Sequence, residues 1–347
     1  MSDVSVVMGT YNGERHIEEQ VTSILQQSQP PAEIVVCDDG STDSTLGILT
    51  HLRASSSVPI VIHRNETRLG FSDNFLKAAQ LAQFPYIAFS DQDDRWHPAK
   101  LQQARTALDR FDAAMSTHQV VLMSAQGEPI GLAAQMITET RLIEPLSADP
   151  FGVYLGFTQM IDRRLLDLLP ANRRGPDNYR PSQVLSHDRW VYFLATNFTR
   201  SVAIADALAS YRQHDAQLFG VNHHLKRVSL TRRFLNKVAA GPARLQFFAD
   251  LADDRCQLLQ EFQPDTDGPL VDVATWKAAA RRWEAIATMW RARLDLYRGA
   301  DLADRVKRLR ANVRHGAYRP LEDGGLGQKR LLEDISLGLF GQLLGRW

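Results

Sequence analysis

The stretch Tyr86-Ile87-Ala88-Phe89-Ser90-Asp91-Gln92-Asp93-Asp94 runs from an apolar segment, readable as a buried strand, straight into three carboxylates. At the end of an extended chain alternate residues point to the same side, so Asp91 and Asp93 can face one point while Gln92 faces away. Hard cations such as Mg²⁺ or Mn²⁺ take oxygen clusters of this kind and fill their remaining positions with substrate phosphates. The competing reading is a polar turn, in which Asp94, ahead of Arg95-Trp96-His97-Pro98, caps the next helix. The segments on either side weigh between the two.

Upstream, strand-like and helix-like segments alternate. Val4 to Met8 reads as a buried strand, and Arg15 to Gln27 carries Ile17, Val21, Ile24 and Leu25 at helical spacing. Ile34 to Cys37 is a second apolar run, ending at Asp38-Asp39-Gly40-Ser41-Thr42-Asp43. Leu46, Ile48, Leu49 and Leu52 then suit a helix capped by Thr42 or Asp43. Ile60-Val61-Ile62 is a third strand before the Asn65 to Ser72 loop, and Phe75, Leu76, Ala79 and Ala82 mark another helix. Such alternation implies an α/β fold with a mainly parallel, Rossmann-like sheet flanked by helices, which binds ligands beyond the carboxyl ends of its strands. Thr10-Tyr11-Asn12, Asp38-Asp39 and Asp91-Asp93 each follow a strand and would line that edge.

Downstream the pattern is less regular. Val120 to Met123 is a strand candidate, and Asn172 to Ser182, rich in Arg, Pro, Gly and Asn, reads as a mobile surface loop whose Arg173, Arg174 and Arg180 either meet phosphates or solvate it. Ser186-His187-Asp188-Arg189-Trp190 opens a buried helix, and Ser201 to Ala205 and Ala207 to Arg212 resemble two strands. From Asn222 the composition turns to long helical patterns, with Trp276, Trp283 and Trp290 at heptad spacing on one face and a break at Pro264 to Pro269. The expected division is residues 1–105 as a nucleotide-binding half, 106–220 as an acceptor-binding half, and 221–347 as a helical extension. The cluster Lys226, Arg227, Arg232, Arg233, Lys237 is either a solvated helix face or a face toward anionic lipid.

The 347 residues suffice for two domains or one domain with an appendage, and 44% hydrophobic with 23% charged residues is an ordinary globular composition. Forty basic and forty acidic side chains balance to +0, which gives nucleic-acid binding no electrostatic support. Cys37 and Cys256 lie far apart with no spaced partner, which argues against a disulfide framework or a zinc site. The start, Met1-Ser2-Asp3-Val4-Ser5, lacks the features of a signal peptide, and no run has the length of a membrane span. These features lead to the expectation of a cytoplasmic protein, with docking at the inner face of the cell membrane left open.

In order and spacing, these motifs resemble the family-2 glycosyltransferases with a GT-A fold, from the N-terminus to about His214, roughly three-fifths of the chain. Val4 to Gly13 is similar to that family's opening strand and nucleotide loop, Val36 to Asp43 to its second loop, and Asp91-Gln92-Asp93 to its DXD element. Ser186 to Trp190 stands where the family places its catalytic base. Tyr211-Arg212-Gln213-His214 is similar to a metal-contacting histidine motif of rhamnosyltransferases. The resemblance implies inverting transfer from a nucleoside diphosphate sugar, dTDP-rhamnose being the first expectation, to a glycan or lipid-linked glycan in bacterial surface polysaccharide assembly. It implies nucleotide contacts from Thr10, Tyr11, Asn12, Glu14, Asp39 and Asp91, a divalent ion (Mn²⁺ or Mg²⁺) on Asp93, Asp91 and His214, and Asp188 as the base. Asp94 either binds the ion or orients Asp93. One departure is His187, where many relatives carry an acidic residue.

Each role has a plainer rival: Asp39 as the cap of a turn with Ser41 and Thr42, Asp188 as a helix N-cap, His214 as a satisfied polar group. The competing functions are a nucleotidyltransferase, which usually carries a basic phosphate loop where this chain has Gly9-Thr10-Tyr11-Asn12-Gly13-Glu14, and a non-catalytic scaffold that binds sugar nucleotides. The C-terminal helices are left to serve homodimerisation, membrane docking or placement beside other enzymes.

Overall fold

The computed structural model describes residues 2–132, 135, 137–213 and 241–339. The chain divides into two compact units: the first takes the described residues up to Pro145, Phe151–Arg174 and Val184 through the last strand, and the second takes Leu146–Pro150, Gly175–Gln183 and the described residues from Gly241 onward. Both expected halves, 1–105 and the described part of 106–220, contribute to the first unit.

In that unit β1 (Val4–Thr10), β2 (Glu33–Asp38), β3 (Ile60–Arg64) and β4 (Tyr86–Ser90) run parallel in the order β3-β2-β1-β4. Helices α1 (Ile17–Leu25), α2 (Thr45–Ser55) and α3 (Phe71–Leu81) make the crossovers. β2 is buried along its whole length and β1 almost so, as strands covered on both faces must be, which explains why they read as unbroken apolar runs. Ile17, Val21 and Ile24 place one stripe of α1 in the core beside Val6, Met8, Ile34 and Val36. The strand order turns at β1, with β2 on one side and β4 on the other, so a crevice opens at their carboxyl ends.

Beyond β4 the sheet is mixed rather than mainly parallel. β9 (Met160–Asp162) runs antiparallel to both β4 and β6 (Met115–Met123), and β6 pairs in parallel with β10 (Ser201–Arg212). The short β5 (Arg95–Trp96), β7 (Pro129–Leu132) and β8 (Arg141–Ile143) pair antiparallel on β10, β6 and β10 respectively. The two strands expected across 201–212 are one strand. Its register on β6 shifts between Ile204 and Ala209, and that irregularity breaks the sequence alternation. α4 (Lys100–Phe111) connects β5 to β6, and α5 (His187–Phe198) enters with Ser186 at its N-cap and most of its length buried. The 172–182 stretch is less exposed than its composition implies: Arg174, Asp177 and Asn178 are buried, and the Asp177 carboxylate accepts from the Tyr179 and Arg180 N–H groups.

The second unit is built on α6 (Gly241–Glu261) and α7 (Val273–Tyr297), either side of the break at Pro264 to Pro269. Phe248 stacks on Trp290, the Cys256 thiol donates to Ala280 O, and Trp276 Nε1 donates to Leu259 O. These pairings run in opposite senses along the two helices, which are therefore antiparallel. All three heptad tryptophans are buried in this seam. α8 (Leu302–Arg314) and α9 (Gln328–Glu333) follow. Just past α9, Asp334 is fully buried, held bidentately by Arg293 and bonded by the Tyr297 and Tyr318 hydroxyls, a complete pairing of the kind a buried charge needs. No helix among the described residues is long and apolar enough to cross a membrane. The basic cluster from Lys226 to Lys237 and His214 lie outside the described residues.

Candidate functional site

Three loops leave the carboxyl ends of β1, β2 and β4 and meet. Asn12 takes a left-handed backbone (φ 49°), which asparagine tolerates better than most residues. In that conformation its Oδ1 accepts from the Thr42 N–H (2.9 Å), and its own N–H donates to Ser41 Oγ (2.9 Å). Glu14 accepts from the Ser44 N–H and donates its own N–H to Asp43. Thr10 is buried and donates to Asp38 Oδ2 (3.0 Å). The side chains of Thr10, Asn12 and Glu14 thus lace the first loop to the second. Tyr11 remains exposed, with the Arg68 guanidinium 3.8 Å over its ring.

The two aspartates at the carboxyl end of β2, Asp38 and Asp39, divide the work. Asp38 closes the turn, accepting from the Gly40 and Ser41 N–H groups and from the Ser41 hydroxyl. The turn-capping alternative for Asp39 therefore belongs to Asp38. Asp39 instead gathers the 65–70 loop, accepting from Asn65 Nδ2 (3.0 Å), Leu69 N–H (2.7 Å) and Gly70 N–H (2.9 Å).

Past β4 the chemistry differs. Ligand oxygens of Asp91, Asp93 and Asp94 lie within 4.8 Å of one another. Burial, then Asp93 and Asp188, push Asp91 from 3.8 up to about 8, so Asp188 faces the same cleft. Asp94 is raised as well, by burial and its two neighbours; its Oδ1 accepts the Arg212 N–H (3.0 Å) while its buried Oδ2 has no hydrogen-bond partner among the described residues. An orphaned carboxylate oxygen in an all-oxygen cluster suits a hard divalent ion, so Asp91, Asp93 and Asp94 fit one. Gln92, which faces away as the alternation requires, exchanges a reciprocal pair of bonds with the Tyr11 backbone, at 3.0 and 3.1 Å. Gly13 makes room for it: a Cβ there would stand 2.4 Å from Gln92 Oε1.

Asp188 lies in the first turn of α5, with Ser186 at the N-cap, so it is not the cap itself. Its Oδ1 accepts from the Ser186 hydroxyl and the Arg189 N–H. His187 explains the departure from an acidic neighbour. Its ring stacks on Phe75 at 4.2 Å, with Phe71 at 6.1 Å and Phe89 at 5.5 Å, and neither ring nitrogen has a hydrogen-bond partner among the described residues. Burial depresses its pKa to about 4, so it serves as a neutral plug that pins the start of α5 to α3 and β4. Arg174 is committed to Leu185 O and Asp73, which removes it from the arginines expected to meet phosphate.

Lys100, Arg68 and the partners of Gln92 and Arg212 carried no sequence signal, because each meets residues remote in the chain. Lys100 is buried below the turn, its Nζ donating to Phe157 O (2.6 Å) and lying 3.4 Å over the Trp96 ring; burial drives its pKa well below that of an ordinary lysine against the pull of Asp94 and Asp91. Tyr211 also faces the acidic turn, its pKa raised by burial and then by Asp91, Asp94 and Asp93.

The laced loops, the acidic turn and the facing Asp188 share one edge of an α/β fold of the GT-A kind. Residues 5–169 match the model of Glycosyl transferase family 2. Over 210 residues the chain is 30% identical to the putative teichuronic acid biosynthesis glycosyltransferase TuaG of Bacillus subtilis, covering 60% of this chain and 78% of that one. It is 41% identical over 101 residues to the dTDP-rhamnosyl transferase RfbG of Shigella flexneri, covering 28% of this chain and 35% of the relative. Among solved structures, S. aureus TarS 1-349 in complex with UDP-GlcNAc is similar in fold, with a TM-score of 0.52 at 19% identity, over 92% of this chain and 93% of that one. This chain belongs to glycosyl transferase family 2 and is a glycosyltransferase.

Proposed function

We propose that this glycosyltransferase moves a sugar from a nucleoside diphosphate donor to a hydroxyl of a glycan or lipid-linked glycan, in one inverting displacement assisted by Mn²⁺ or Mg²⁺, during surface polysaccharide assembly. The observation that carries the reading is the turn past β4, where three close carboxylates, one with an orphaned buried oxygen, face Asp188. Carboxylates this close cannot all ionise unless a cation joins them. A bound divalent ion would offset the charge that builds on the departing diphosphate. Asp91, Asp93 and Asp94 would hold it; His214, the further ligand implied by the family motif, stays part of the proposal.

Asp188 takes the proton of the acceptor hydroxyl as that oxygen bonds to the anomeric carbon, while the bond from that carbon to the diphosphate oxygen breaks on the opposite face. The exposed Tyr11 ring with Arg68 is the surface offered to the nucleobase. Thr10, Asn12, Glu14 and Asp39 act on the nucleotide through the loop shapes they fix. The first donor candidate is dTDP-rhamnose, on the Tyr211-Arg212-Gln213-His214 motif and the likeness to RfbG, although this chain spans about a third of that relative.

The test is a titration with a panel of nucleotide sugars, with and without Mn²⁺, for the parent, Asp93→Ala and Asp188→Asn. Expected is Mn²⁺-dependent binding of one donor, lost in Asp93→Ala and kept in Asp188→Asn, with transfer reduced about 10²–10⁴-fold in the latter. A parent that binds no member of the panel under either condition sinks the reading.

A further inference from the structure

We propose that Arg212, near the end of β10, is a positioning residue that sets the shape of the acidic turn and with it the affinity for the divalent ion. The inference rests on the metal-assisted reading above and names a residue that binds neither ion nor sugar.

Arg212 is 2% exposed, and its four bonds fan out to three separate segments. Its N–H donates to Asp94 Oδ1 (3.0 Å), and its Nε to the Asp93 carbonyl (2.8 Å), so backbone and side chain grip consecutive residues of the turn. Nη1 donates to Ala125 O (3.0 Å) in the turn after β6, and Nη2 to Glu19 Oε2 (2.6 Å) on α1. The guanidinium is therefore fixed from two sides before it meets the turn. Planarity matters here: a fork with donors in fixed directions reaches three acceptors at once, whereas an ammonium on a flexible stem can satisfy only some of them.

The consequence at the turn is specific. With Oδ1 of Asp94 tied to the β10 backbone, Oδ2 is left as the buried oxygen without a partner, beside Asp91 and Asp93. With its carbonyl anchored to Nε, the Asp93 backbone is held while its carboxylate stays with the cluster. The Arg212 side chain meets the turn at the Asp93 carbonyl and leaves the buried Asp94 Oδ2 without a partner among the described residues. Outer partners that orient ligands in this way typically change metal affinity by about 10–100-fold when they are altered.

The test compares Mn²⁺ binding without donor, read from the paramagnetic signal of the free ion, together with thermal melting and donor kinetics. The variants are Arg212→Lys, Glu19→Gln and, as control, Arg305→Lys. Arg305 is an equally buried guanidinium in the second unit, bonded to the carbonyls of Gly299, Tyr297 and Gly338. Expected for Arg212→Lys is Mn²⁺ binding weaker by about 10–100-fold, with much of kcat recovered at saturating Mn²⁺. Glu19→Gln, which keeps the fork and loosens its hold, should weaken binding several-fold, and it decides the matter if the lysine variant does not fold. Arg305→Lys should lower the melting temperature and leave Mn²⁺ affinity alone. Folded Arg212→Lys or Glu19→Gln protein with parental Mn²⁺ affinity overturns the proposal and leaves the metal-assisted reading standing. A parent that binds no Mn²⁺ removes both.

Discussion

Asp38-Asp39 at the end of β2 and Asp91, Asp93 and Asp94 past the end of β4 are the same residue type at the same sheet edge, and they do opposite things. The first pair is saturated: N–H and hydroxyl donors from the 40–41 and 65–70 segments fill its oxygens. The second group is crowded and underfilled, with a raised Asp91 and an orphaned oxygen on Asp94. A carboxylate whose lone pairs are taken by backbone donors builds a loop. One that faces other carboxylates is poised for a cation or a proton.

The contrast is broken most directly by alanine at one member of each group. Asp93→Ala should reduce transfer by at least about 100-fold, in line with loss of a charge-stabilising group, while leaving the melting temperature of the metal-free protein equal to or above the parent's, because a repulsion is relieved. Asp39→Ala should behave in reverse, losing about 1–3 kcal/mol of stability in a denaturant titration as the Asn65, Leu69 and Gly70 donors lose their acceptor. A destabilised Asp93→Ala and an unaffected Asp39→Ala would invert the assignment.

Proton competition sharpens the same point. A proton on Asp91 must leave before an ion binds, so Mn²⁺ affinity should rise by about tenfold per pH unit up to about 8 and level off above it. The linked stability has a definite sign. Folding raises this pKa from 3.8 to about 8, so the metal-free fold holds a proton that the unfolded chain releases. That contribution is full below about pH 4 and is lost as pH rises toward 8, and Mn²⁺ should restore it. Melting curves at pH 6 and pH 8, with and without Mn²⁺, read this directly. The smallest expected effect is at the seam between the two loops: Gly13→Ala should push Gln92 off the Tyr11 backbone and raise the donor KM a few-fold, with little change in melting. A larger fall in melting temperature would mean that the backbone, and not the flexible amide, has to yield.

The parallel half of the fold was legible because each strand is an unbroken apolar run followed by polar residues, and the edge they share follows from strand direction alone. β9 was not legible, since three residues are too few to show a period. β10 looks like two strands in sequence because its register shifts between Ile204 and Ala209 interrupt the alternation. At the site, the acidic turn and Asp188 are short local patterns. What distinguishes Asp39 from Asp91 is which donors reach them, and those come from residues 26 to 31 positions away for Asp39 and 118 for Asp94. His187 looked like a departure from the family pattern, and its reason lies in three phenylalanine rings from α3 and β4.

The bond from the Arg212 N–H to Asp94 also sets a clock. At a synthesis rate of about 5–20 residues per second, the brace leaves the ribosome roughly 6–24 s after the turn that it holds, since 118 residues separate the two. The parallel strands β1 to β4 can find one another during that interval, but the acidic turn waits at their edge for a strand not yet made. The growing chain thus acquires its parallel shelf early and a finished acidic turn late, so a fragment ending before β10 would carry the shelf alone.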